Sequence, residues 1–148
     1  MGLDLILYKK TKDIEEMSME EELDSELAYG RKTWALARFF MNMAEENVDD
    51  EYYFPITEED WNTFIDSFEP FFKSEDICNL IREYSPEEDT SEKIYDLIEH
   101  IMNTGFGKYE TYTLGAVWEA QTTLEWYEAD REVRDAFEEG EVWLIVSY

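Results

Sequence analysis

The end of the chain, Val142-Trp143-Leu144-Ile145-Val146 before Ser147 and Tyr148, is apolar at every successive position of its central run. Successive side chains of a strand point to opposite faces, so a run without alternation reads as a strand covered on both sides. A buried strand must also pair, because interior N–H and C=O groups need hydrogen-bond partners. The evident mate is the other end of the chain, Leu3-Asp4-Leu5-Ile6-Leu7-Tyr8. The termini are therefore expected to form a two-stranded sheet, parallel or antiparallel, around which everything between them must pack.

What lies between reads mainly as helix. Ser25 can cap a helix from Glu26 to about Glu46, with Leu27, Gly30, Trp34, Ala37, Met41 and Ala44 on one stripe at steps of three and four. Gly30 inside it suggests close packing against another element. The bases Arg31, Lys32 and Arg38 on this helix are expected to meet carboxylates of the acidic stretch Asp13 to Asp24. Asn47 to Ile56 reads as a loop. Thr57 caps a second helix that buries Trp61, Phe64, Ile65 and Phe68 and ends at Pro70. Ser74 caps a third, with Ile77, Leu80, Ile81 and Tyr84 inward. A fourth carries Ile94, Leu97, Ile98 and Ile101 and closes at Asn103-Thr104-Gly105. A fifth runs from about Thr113 to Glu139, with Gly140 as its C-terminal stop. The expected fold is α-rich α+β: about five helices around the small sheet of the termini, in one acidic globular domain, residues 1–148.

Charge sets the class of partner. The 148 residues carry 38 acids against 12 bases, a formal net charge of −26, far beyond what solubility asks of a small domain. Aromatic residues make up 16% of the chain, enough to reject acidic disorder, which is poor in aromatics. Such a charge disfavours nucleic acid, itself a dense polyanion, and anionic membrane surfaces. It favours a basic protein partner. The asymmetry is sharpest from Phe39 to Phe72, thirty-four residues with ten carboxylates and no Lys or Arg. Within it, Glu45, Glu46, Asp49, Asp50, Glu51, Glu58, Glu59 and Asp60 surround one loop, and Tyr52 and Tyr53 stand beside them. These ten residues are the candidate partner-binding site. Trp34, Trp61, Phe64, Phe68 and Trp118 lie at helical spacing and read as core.

Catalytic signatures are missing. His100 is the single histidine, with Asp96 four residues before it and no second half of a metal site. Cys78, the single cysteine, sits beside an apolar helical face and reads as a buried filler. A calcium loop starting at Asn47 fails because Tyr52 occupies its glycine position. No phosphate-binding glycine loop is present. The expectation is no enzyme, no metal and no cofactor. No apolar run is long enough to cross a membrane, the opening residues lack the pattern of a signal peptide, and a lone cysteine fits a reducing cytosol.

Two fragments carry a resemblance. Met1-Gly2-Leu3-Asp4 with Leu7-Tyr8-Lys9, and Glu26-Leu27-Ala28-Tyr29-Gly30-Arg31-Lys32 leading to Phe39-Phe40, resemble a group of small uncharacterised phage and prophage proteins. In that group an aromatic residue usually precedes the Arg-Lys pair, where this chain has Gly30. The resemblance covers about a third of the chain and implies a phage setting, the cytoplasm of an infected or lysogenic bacterium, rather than an activity. By composition the chain is also similar to the DNA-mimicking antirestriction and anti-CRISPR proteins of phages. That likeness implies an inhibitor that presents carboxylates to the basic groove of a host defence nuclease. The alternative is a phage structural or assembly adaptor without catalytic activity.

Overall fold

A computed structural model describes residues 3–10, 25–43, 53–83, 92–106 and 113–147. Strands β1 (Asp4–Lys10) and β4 (Glu141–Ser147) pair antiparallel, in register from Asp4 opposite Ser147 to Lys10 opposite Glu141. The mating of the chain ends is as the apolar runs require. The sheet is larger than two strands, however. β2 (Glu26–Arg31) adds to the far side of β1, and β3 (Tyr53–Ile56) to the far side of β4. The order is β2-β1-β4-β3 and every pairing is antiparallel. The reason lies in the terminal runs themselves: two strands this apolar each leave a second edge unsatisfied, and both edges are filled from within the chain. Leu5, Leu7 and Leu144 are fully buried, and Leu3, Val142 and Val146 nearly so. On the opposite face Tyr8 and Trp143 stand side by side, and the Lys10 ammonium lies 4.2 Å above the Trp143 ring.

Two stretches therefore differ from their sequence reading. The segment expected to open a helix at Glu26 is strand as far as Arg31, and helix α1 is Trp34–Met43. Gly30 explains the choice. A Cβ there would sit 2.8 Å from Thr33 Oγ1 and 3.0 Å from Thr122 Cγ2, so the strand lies directly against a helix. Tyr53 to Ile56, expected as loop, is strand β3, and its proline sits in an edge strand as sheets require.

Six helices are present among the described residues. Helix α2 (Glu58–Phe72) runs two residues past Pro70. Helices α3 (Glu75–Glu83) and α4 (Glu92–Phe106) follow. The expected long fifth helix is two: α5 (Thr113–Glu128) and α6 (Asp130–Glu139). The chain turns at Ala129, whose N–H is shared between the carbonyls of Glu125 and Trp126 at 3.1 Å each. The turn lets α6 bury Val133 and Ala136 against β4 and β1.

The core between sheet and helices is aromatic. Phe40 of α1 stacks on Trp61 of α2 and meets Trp126 of α5. Phe68 packs against Phe64, Phe72 and Phe106 with ring centroids 4.8–5.4 Å apart. Gly105, expected to close its helix, is the next-to-last residue of α4, and α2 crosses it there: a Cβ would overlap the Phe68 ring. Phe68 is completely buried and has nowhere to move. Overpacking of this kind costs about 1–3 kcal/mol, while alanine recovers up to ~1 kcal/mol of helix propensity. Gly105→Ala is expected to lower the melting temperature by several degrees in a thermal denaturation followed by circular dichroism. An unchanged or raised midpoint would show that the two helices are not in this contact.

Trp34 and Trp118 are not core. They are 43% and 54% exposed, and Leu80 is 51% exposed on α3. The Trp118 indole N–H donates to the Arg31 carbonyl at 2.8 Å, and that of Trp126, fully buried, donates to the Tyr29 carbonyl at 3.0 Å. Two tryptophans eight residues apart on α5 thus occupy two carbonyls of edge strand β2, a means of closing a sheet edge without another strand.

Candidate partner-binding surface

Helix α2 is built to turn acids outward. Thr57 and Asp60 form a reciprocal capping box: Thr57 Oγ1 accepts from the Asp60 N–H and the Asp60 carboxylate from the Thr57 N–H, both at 3.1 Å. Glu58, Glu59 and Asp60 occupy the first turn, where negative charge complements the helix dipole. Trp61, Phe64, Phe68 and Phe72 face the core. Glu59, Asp66 and Glu69 lie on the opposite side, exposed, and α2 carries no Lys or Arg. At 1.5 Å rise per residue, Glu59 and Asp66 are offset by about 10 Å along the axis, and Asp66 and Glu69 by about 4.5 Å.

The structure divides the ten candidate residues. Glu45, Glu46, Asp49, Asp50, Glu51 and Tyr52 lie outside the described residues. Tyr53 is not a loop residue: it is half-buried on β3, opposite Ile145. Asp60 is engaged in the capping box. Glu58 is within 3.6 Å of the Arg134 guanidinium of α6, which also donates from Nε to Asp130 Oδ1 at 3.1 Å. The same Asp130 oxygen accepts the Trp61 indole N–H at 2.7 Å. Glu58 therefore belongs to a polar joint between α2 and α6, and Glu59 remains exposed. Asp66 and Glu69 join it on the same helix. They were among the ten carboxylates of the acidic stretch, and only the orientation of α2 distinguishes them as presented.

The acidity extends over the neighbouring helices. Glu75, Asp76 and Glu83 on α3 and Asp96 and Glu99 on α4 are exposed. Among the described bases of α2 to α4 and the turn between α2 and α3, Lys73 is exposed and Arg82 bonds Glu128 at 2.6 Å. Arg82 and Glu128, with Gln121, Leu124 and Glu125, line a shallow groove of about 360 Å³ between α3 and α5. Lys9 pairs with Glu139 at 2.5 Å.

Neither singular residue gains a catalytic setting. Cys78 is buried, donates to the Phe72 carbonyl, and has its thiol pKa raised by burial, so thiolate is suppressed. His100 is exposed and packs edge-on against Phe71. No group of three or more His, Cys, Asp or Glu among the described residues is placed to hold a metal ion. No helix of the described residues is long and apolar enough to cross a membrane.

One carboxylate behaves differently from the rest. Glu119, on α5, is buried, and its Oε1 accepts the Ala35 N–H at 3.0 Å at the start of α1. It caps that helix from across the core. Burial raises its pKa, against the opposing pull of the Ala35 and Trp34 N–H groups and of Arg38. The folded state thus holds this proton more tightly than the unfolded chain. The associated stability is present below the unfolded pKa, about 4.5, and is lost as pH rises through the folded one. Glu119→Gln keeps an acceptor for the Ala35 N–H and removes the titration. The stability of the variant minus that of wild type is expected to increase between pH 4.5 and 7 in denaturant melts at fixed salt. A constant or falling difference would show that Glu119 is not desolvated.

No protein-family model matches the chain, and neither the curated proteins nor the solved structures contain a match to it.

Proposed function

We propose that the protein is a non-enzymatic acidic inhibitor of phage origin that imitates the charge of DNA and occupies the basic nucleic-acid groove of a host defence nuclease. The observation that carries this reading is helix α2: its aromatic side is locked into the core, and its outer side offers Glu59, Asp66 and Glu69 without a base on the helix. Duplex DNA carries one charge per roughly 1.7 Å of axis, and proteins that bind it hold Lys and Arg in register with those charges. Carboxylates on a rigid helix, at separations of about 5–10 Å, can engage the same side chains. The exposed acids of α3 and α4, and the acidic residues Glu45 to Glu51 as proposed further contacts, enlarge the field. A net charge of −26 steers a basic partner and speeds its association.

The second reading is a phage structural or assembly adaptor. The exposure of Tyr29, Trp34 and Trp118 favours it, because a charge mimic alone has no use for aromatic anchors. The test is capture from a bacterial lysate on immobilised protein, followed by a salt gradient. Nucleic-acid-binding proteins that elute between low and moderate salt are expected. Captured proteins held equally at high salt would favour the adaptor.

A further inference from the structure

Helix α1 has a cap of its own and uses a distant one instead. Its first backbone bond runs from the Ala37 N–H to the Thr33 carbonyl at 3.0 Å, which makes Thr33 the capping residue. A threonine there ordinarily accepts the N–H of the second or third helical residue, here Ala35 or Leu36. In this chain the Ala35 N–H goes to Glu119 of α5, at 3.0 Å, and the same carboxylate accepts the Trp34 N–H. The Thr33 hydroxyl is left idle. Thr33 is completely buried, and its Oγ1 has no hydrogen-bond partner among the described residues. Gly30 shows where the hydroxyl is parked. A Cβ on that glycine would stand 2.8 Å from Thr33 Oγ1, so the hydroxyl lies back over β2, in room that the missing side chain leaves. A rotation about the Thr33 Cα–Cβ bond returns it to its own helix.

Ionisation decides between the two caps. As a carboxylate, Glu119 is a charge-assisted acceptor, roughly twice as strong as a neutral one, and holds the Ala35 N–H even though a hydroxyl goes unpaired. Once protonated, Glu119 and Thr33 compete as neutral acceptors. The balance then falls to the arrangement that leaves no buried group unpaired: Thr33 on the Ala35 N–H, Glu119 on the Trp34 N–H. Glu119 is the one charged side chain among the buried described residues, and burial favours its uptake of a proton. Arg38, on α1, opposes that uptake. Arg31 and Lys32, at the end of β2 and in the turn before α1, are exposed. The stretch Asp13 to Asp24, expected to meet these three bases, lies outside the described residues. Helix α2 meets α5 at Tyr127, and α3 meets it at Gln121 and Glu128. Helix α4 turns Ile94, Ile98, Ile101 and Met102 inward, none of them titratable.

We propose that the joint between α1 and α5 is a proton-operated latch: near neutral pH the Glu119 carboxylate holds the Ala35 and Trp34 N–H groups, and on protonation it hands the Ala35 N–H to Thr33. A static tie needs no such pair. Glutamine at position 119 would hold the Ala35 N–H at every pH, and valine at position 33 would fill the same space without an unpaired hydroxyl. The other ties from α5 to this region are the Trp118 indole on the Arg31 carbonyl and the Trp126 indole on the Tyr29 carbonyl. Neither titrates. Protonation therefore loosens α1 against α5 and leaves β2 in place.

The test is Thr33→Val, in denaturant melts at pH 7 and pH 4.5 at fixed salt. The folded-state pKa of Glu119 is raised above 4.5, so at the lower pH most folded molecules carry the proton. At pH 7 the variant should match or exceed wild type, because a buried unpaired hydroxyl becomes a methyl. At pH 4.5 its folding equilibrium constant should fall about fivefold below wild type, the usual loss of a threonine cap. In a Glu119→Gln background the effect of Thr33→Val should be the same at both pH values. The movement itself is read in wild type by nuclear magnetic resonance, from the three-bond coupling of the Thr33 methyl carbon to the backbone, which reports rotation about Cα–Cβ. That coupling and the Ala35 amide proton should titrate together with the Glu119 carboxyl carbon, and both should be flat in Glu119→Gln. An equal effect of Thr33→Val on wild type at the two pH values overturns the inference. So does a Thr33 coupling that stays constant while Glu119 titrates. A Thr33→Val variant that fails to fold at pH 7 overturns it too, since the hydroxyl would then be in use where the latch leaves it idle.

Discussion

Removal of residues 142–148 is expected to abolish cooperative folding. Strand β4 is interior to the sheet: it pairs with β1 along its whole length and with β3 over four positions. Deleting it strips a partner from both neighbours at once. It also removes Val142, Trp143, Leu144 and Val146, all buried. Burying a side chain of this size contributes about 1.5–3 kcal/mol, so four contribute roughly 6–12 kcal/mol, comparable to the whole stability of a typical domain at about 5–15 kcal/mol. β1 would be left with β2 alone, and a two-stranded remnant has little stability of its own. The truncated chain should show no cooperative thermal transition and no near-ultraviolet dichroism from its tryptophans. A sharp melt within a few degrees of the full-length midpoint would contradict the central place given to β4.

The same strand shows what the sequence makes legible. Val142 to Val146 is apolar without alternation, and that alone required burial and a mate, which Leu3 to Tyr8 supplied. The cap at Thr57 and the buried ring series Trp61, Phe64 and Phe68 were equally readable, because caps and helical periodicity are local signals. The misread elements depend on distant partners. Glu26 to Gly30 has good helix formers, and only the open edge of β1 and the contact of Gly30 with Thr122 make it a strand. The short β3 hides behind an acidic stretch and a proline. The turn at Ala129 has neither glycine nor proline to announce it. Trp118 and Trp126 repeat at helical spacing as core residues do, yet they serve a sheet edge, and one of them is exposed. In the candidate surface, the acidic character of the stretch was visible in advance. Which acids are presented was not: Asp60 is claimed by its own helix start, and Glu58 by Arg134, far along the chain.

Neutralising the outer face of α2 is expected to weaken partner binding by at least an order of magnitude. The variant is Glu59→Gln, Asp66→Asn, Glu69→Gln. Each side chain is exposed, and each loses a charge-assisted contact to a basic partner, of the kind that contributes about 1.5–3 kcal/mol when formed to a charged group. Even strong discounting for solvent leaves a combined loss above the ~1.4 kcal/mol that corresponds to tenfold. The fold should persist or gain slightly, because removing like charges relieves self-repulsion. Glu59 lies in the first turn of α2, so its neutralisation also forfeits about 0.3–1 kcal/mol of helix-dipole stabilisation, and the net change in melting temperature should be small. A parallel variant, Asp49→Asn, Asp50→Asn, Glu51→Gln, asks whether the acidic segment before β3 shares the contact. Calorimetric titration against the captured partner compares the two with wild type. Unchanged affinity in the α2 variant would remove that helix from the interface.

The most direct test of charge mimicry is competition. The captured partner, bound to this protein, is challenged with increasing duplex DNA at 0.05 M and 0.2 M salt, and the remaining complex is measured. The account predicts that DNA displaces the protein stoichiometrically at a shared site, and that affinity for the protein falls steeply between the two salt concentrations, as it does for DNA itself. A ternary complex in which DNA and protein sit together, with affinity indifferent to salt, would contradict it.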